Sequence, residues 1–71
     1  MSVVESLADA LAKDTIAAAE KLGDEDLIRE VAKVLAATST TSEEAFMTSI
    51  RVRLAERRAR RYLEGRLGQS D

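Results

Sequence analysis

The run Phe46-Met47-Thr48-Ser49-Ile50-Arg51-Val52-Arg53-Leu54-Ala55-Glu56-Arg57-Arg58-Ala59-Arg60-Arg61-Tyr62-Leu63 carries two apolar stripes on one helix, and their division decides the fold. At ~100° per residue, Phe46, Met47, Ile50 and Leu54 fall within about a third of the circumference. Val52, Ala55, Ala59, Tyr62 and Leu63 fall on roughly the opposite side. Beyond Leu54 the first side continues as Arg57, Arg58 and Arg61, which do not belong in a core. A helix with one stripe needs one neighbour. This one needs two.

The first stripe is expected to pack on the rest of the chain. Val52, Ala55, Ala59 and Tyr62 follow the 3-4-3 spacing of a helix–helix seam, with Leu63 beside it. That seam is expected to meet another copy or a protein partner. The alternative is one continuous core, with the first helix wrapping around to touch both faces.

Upstream of this run, Thr38-Ser39-Thr40-Thr41-Ser42 is the one polar stretch of low helix propensity, and it reads as a loop. Thr41 with Glu44, or Thr40 with Glu43, makes a capping box that would start the third helix near residue 42. Gly65 is expected to end that helix after residue 64, leaving 66–71 as a frayed tail. A second helix is expected over about 24–37. Asp24 would be its N-cap, and Leu27, Ile28, Val31, Ala32, Val34 and Leu35 its apolar stripe. A first helix over about 2–22 puts Val4, Leu7, Ala8, Leu11, Thr15, Ala18, Ala19 and Leu22 on one face, and Gly23 supplies its left-handed terminator. The connection Leu22-Gly23-Asp24 is short enough to force a tight helical hairpin. The expected fold is therefore all-α: three amphipathic helices, a hairpin plus a longer third helix, in one domain over 1–71, completed by oligomerisation.

Composition favours that completion. A chain of 71 residues buries a modest core, and this one has no Cys to staple it. Its apolar content rests on twelve alanines with only Phe46 and Tyr62 as aromatics. Ala is the strongest helix former but buries little more than a methyl group. Thin helices gain most from close contact over a long length, which a second copy supplies. No unbroken apolar run is longer than the four residues of Ile16 to Ala19, and the start Met1-Ser2-Val3-Val4-Glu5 has no basic segment. A soluble cytoplasmic protein is expected, and the Ala- and Arg-rich, Lys-poor third helix is compatible with a bacterial source.

Charge is divided along the chain. Residues 1–44 hold ten acids and four bases, whereas residues 45–71 hold three acids and seven bases. All seven are arginine: Arg51, Arg53, Arg57, Arg58, Arg60, Arg61 and Arg66. They can be a solvated helix end that pairs with the acidic half, or a docking surface for an acidic protein. Arginine suits the second role because its planar fork binds carboxylates at two points. They can also contact phosphates, which would make the chain a small nucleic-acid-binding regulator. Only Tyr62 could stack on a base, and the acidic half would repel a polyanion.

Catalytic chemistry is thinly provided. With neither His nor Cys, the commonest general base and metal ligand are gone, and only carboxylates, hydroxyls, Lys and Tyr62 remain. Asp24, Glu25 and Asp26 are explained by capping and by the helix dipole, and they lack the spacing of a calcium loop. There is no glycine-rich loop to cradle a phosphate. No catalytic residue, cofactor, metal, membrane contact or small-molecule substrate is expected. The functional expectation is a non-enzymatic helical interaction module that self-associates and docks through its third helix. The nucleic-acid regulator is the alternative.

Overall fold

A computed structural model describes residues 2–69, which form three helices and no strand. Helix α1 spans Val3–Leu22, α2 spans Leu27–Ala36 and α3 spans Thr40–Gln69. Ser2 caps α1, its hydroxyl oxygen accepting from the Glu5 amide at 3.1 Å. At the other end Gly23 is left-handed (φ 64°, ψ 32°). Its amide donates to the Glu20 carbonyl, and the next amide, of Asp24, reaches back to Ala19 at 3.0 Å. These are the paired bonds that close a helix and turn the chain sharply.

The inner face of α1 differs from the expected one. Ala8, Ala12, Thr15 and Ile16 are buried, while Leu7 and Leu22 stay two-thirds exposed. Relative to the expected stripe the helix is turned by about 60°. The cause is Phe46, fully buried, with Ile50 one turn on. Alanines facing α3 let the two backbones approach around those bulky side chains, whereas Leu7 at the contact would hold them apart. Thr15 sits among apolar groups at no loss, because its hydroxyl donates to the Leu11 carbonyl at 2.7 Å.

Helix α2 begins at Leu27, three residues later than its expected start. Asp24 is not its N-cap. The Asp24 carboxylate instead accepts from the Asp26 amide two residues on, which bends the turn. Asp26 holds the cap position without a side-chain cap bond, and its carboxylate is taken by Arg29.

Helix α3 departs from the expectation at both ends. It begins at Thr40, with Ser39 as the capping side chain in place of Thr40 or Thr41: Ser39 Oγ accepts from the Ser42 amide at 3.0 Å. It then runs through Gly65 to Gln69 with a helical backbone at that glycine. Residues 66–69 of the expected tail are thus helical, and residues 70–71 lie outside the described residues.

Two reversals make α1 and α3 run in the same direction, with α2 opposed to both. The core joins Ala8, Ala12, Ile16, Ala32, Phe46 and Ile50, with Leu11, Ile28, Val31, Leu35, Ala45, Met47 and Leu54 packed around it. The Phe46-to-Leu54 stripe therefore packs on the hairpin as its periodicity predicts. Burying Phe46 alone stabilises by roughly 1.5–3 kcal/mol over leaving it in water. At 1.5 Å per residue α3 is about 45 Å long and α1 about 30 Å. The molecule measures 53 × 30 × 13 Å, and every residue from Arg58 to Gln69 is exposed.

Candidate functional site

With one stripe of α3 committed to the hairpin, the other faces away from it. Val52 is 62% exposed, Tyr62 68% and Leu63 53%, and Ala55 and Ala59 between them are exposed as well. Among the described residues no second helix covers Val52, Ala55, Ala59, Tyr62 and Leu63, so the single wrapped core is not what forms. Leu67, 65% exposed, extends the apolar strip one turn beyond Leu63. The sequence reading missed it by stopping the helix at Gly65. Thr41, Ala45 and Thr48 carry the same spacing back toward the start of α3, with Thr41 and Thr48 exposed and Ala45 half-buried. At the far end Arg66 Nη1 donates to the Tyr62 hydroxyl at 3.3 Å.

The seven arginines do not form one surface. Arg53 reaches back to α1 and holds Asp9 at two points. Arg57 pairs with Glu20, also on α1. Arg60 pairs with Glu56 one turn earlier on its own helix, at 2.6 Å. Arg51, Arg58, Arg61 and Arg66 have no carboxylate partner among the described residues. Pairing between the acidic and basic halves is thus real but partial: it uses the arginines nearest α1 and leaves the outer ones in water. Which arginine falls on which side follows from helical phase, but which carboxylate it meets depends on the rotation of α1.

Two titratable groups are perturbed by this arrangement: the Asp9 hydrogen bond raises Arg53 above the ordinary guanidinium value, and Asp9 shifts the other way. The Arg53 hydrogen bonds hold the Asp9 carboxyl below the usual carboxylate range against an opposing push from partial burial. The Arg53 charge, the nearby Ser49 hydroxyl and the Lys13 charge add to the lowering.

A second apolar feature lies at the opposite end of the bundle. Val3, Val4, Leu7, Leu11 and Leu35, with Ser42 at the edge, line a cleft of about 210 Å³. It exists because α1 is turned so that Leu7 points away from the core. Among the described residues no three Asp or Glu side chains converge to hold a metal, and no helix is long and apolar enough to cross a membrane. Comparison with known proteins finds no family model, no curated protein and no solved structure that matches this chain.

Proposed function

We propose that this chain is a small helical protein–protein interaction module that self-associates and docks on a partner through its third helix. The supporting observation is the exposed seam Val52-Ala55-Ala59-Tyr62 with Leu63, on the side of α3 turned away from the core around Phe46. Each large apolar side chain there gains roughly 1.5–3 kcal/mol when removed from water. The two alanines at its centre allow a second helix to come close. Arg51 and Arg58 flank the strip and Arg66 stands at its far end, and each can take a carboxylate of a docked protein at two points. A module of this kind works by occupancy rather than by bond chemistry, which suits a chain with neither His nor Cys. A cytoplasmic setting belongs to the same proposal.

Sedimentation of the Ala55→Glu, Ala59→Glu double variant tests it. Both positions are exposed in the single chain, so the fold has no reason to change. Across a helix contact two carboxylates one turn apart would be desolvated and would repel each other. The expected result is a helical species of lower mass than the parent. A variant that keeps the parent's mass, or a parent that sediments as a monomer throughout, removes self-association from the proposal.

The reading as a nucleic-acid-binding regulator draws on Arg51, Arg58, Arg61 and Arg66, which lie along one helix without carboxylate partners among the described residues. Titrating binding to random DNA and RNA with salt separates the two. A phosphate binder loses affinity steeply and linearly in log salt. A protein-docking module shows little binding at any salt.

A further inference from the structure

We infer that the occupant of the α3 seam is the α3 of a second copy of this chain, lying parallel to the first and in register. This rests on the interaction reading above and adds the identity and direction of the helix that fills the seam.

Direction is set by the charges beside the seam. In heptad terms Val52 and Ala59 occupy position a, and Ala55 and Tyr62 occupy d. The flanking e positions are then Glu56 and Leu63, and the flanking g positions are Arg51 and Arg58. The charged e residue is acidic and both g residues are basic. In a parallel pair each g side chain meets the e side chain five residues further along the other helix. Arg51 then faces Glu56 of the second copy, and the two-fold axis repeats the contact. Arg58 faces Leu63, across which its aliphatic stem can lie. An antiparallel pair sets e against e and g against g, so that Glu56 meets Glu56 and Arg58 meets Arg58. Like charges there disfavour that orientation.

The fold leaves room for this arrangement. The hairpin is held through Ile50, Arg53, Leu54 and Arg57, which occupy the b, c and f positions behind the seam. Glu56 is reachable as well: its Oε1 accepts from Arg60 Nε while the side chain stays 52% exposed. Toward the start of α3 the a and d positions are Ala45 and Thr48; Ala45 already packs on the core of its own chain, so the close approach between copies begins at the exposed Thr48. Toward the end, Arg66 at position a would set two guanidinium groups against each other. The dry part of the seam therefore ends at Tyr62, whose hydroxyl already receives Arg66.

The absence of cysteine gives a clean background for cross-linking. Ala55→Cys and Tyr62→Cys, made separately and oxidised gently, should each give a disulfide-linked dimer. Arg61→Cys, on the outer surface, serves as the collision control and should not. Positions 55 and 62 are about 10 Å apart along the helix, and a disulfide needs Cα atoms within roughly 7 Å. An antiparallel pair has one centre, so it brings at most one of the two positions opposite itself. Reversing one flank, by Arg51→Glu or Glu56→Arg, should weaken association on the order of tenfold, and the double swap should restore it. A parent that stays monomeric overturns this inference together with the self-association reading. A parent that associates but cross-links at one position only, or at the control equally, overturns the parallel register alone. So does a double swap that associates no better than its single variants.

Discussion

Arg53 holds Asp9 by two parallel hydrogen bonds, Nε to Oδ1 at 2.8 Å and Nη2 to Oδ2 at 2.7 Å, joining α3 to α1 across 44 positions of the chain. Each side chain keeps about a third of its surface in water, so the pair is partly screened by solvent. Its contribution should nevertheless be readable in the pH dependence of stability. The folded Asp9 carboxyl titrates below its ordinary value of 3.8, so the unfolded chain takes up the proton first as acid is added. Stability from the pair is therefore complete above that ordinary value and is lost as the pH falls through the lower, folded one. Replacing Asp9 with Asn should lower the melting temperature at neutral pH and flatten its decline below about pH 4. Circular dichroism melts across the acid range read both effects. Parent and variant curves that run parallel would show the pair to be without weight.

The start of α3 offers a sharper contrast. Ser39 Oγ accepts from the Ser42 amide at 3.0 Å, and the Ser39 carbonyl takes the Glu43 amide at 3.1 Å. Losing an N-cap hydroxyl costs about 1 kcal/mol. Ser39→Ala should therefore destabilise by about that amount in urea unfolding, while Thr40→Ala with Thr41→Ala should cost far less, since neither caps. The reverse ranking would move the helix start back to the capping box expected from the sequence.

That correction shows what was legible and what was not. Number and order of helices follow from period and punctuation: the apolar stripes repeat every 3.6 residues, and Gly23 and the Ser/Thr run interrupt them. The burial of Phe46 and Ile50 follows the same way, as does the outward direction of the Val52-to-Tyr62 seam. Starts and stops were less certain because several adjacent residues could serve. Ser39, Thr40 and Thr41 all carry a capping hydroxyl, and Asp24 and Asp26 both carry a capping carboxylate. Which is used depends on where the neighbouring helix pins the chain. The inner face of α1 was ambiguous for a related reason. With so many alanines, two faces about 60° apart have similar apolar content, and the choice falls to whichever fits the bulk of Phe46. The partners of Arg53 and Arg57 inherit that ambiguity. No local pattern encodes them.

Gly65 tests how far α3 extends. A glycine near the end of an apolar pattern reads as a left-handed terminator, yet among the described residues only Gly23 has a positive φ. At Gly65 the backbone is helical, and a methyl group added there would meet nothing within 4 Å. Replacing an exposed interior helical Gly with Ala favours the helix by about 1 kcal/mol, because Gly loses more backbone freedom on folding. Were Gly65 instead a left-handed terminator, the same change would cost about 1–2 kcal/mol. The sign therefore separates the two structures. Where the gain appears follows from the fold. Every residue from Arg58 to Gln69 is exposed, so this part of α3 can open without disturbing the core around Phe46. Gly65→Ala should then raise the helical signal and slow amide exchange over residues 62–69, with little change in melting temperature when measured on dilute monomer. A fall in helicity would return the end of the helix to residue 64, and would remove Leu67 from the exposed apolar strip.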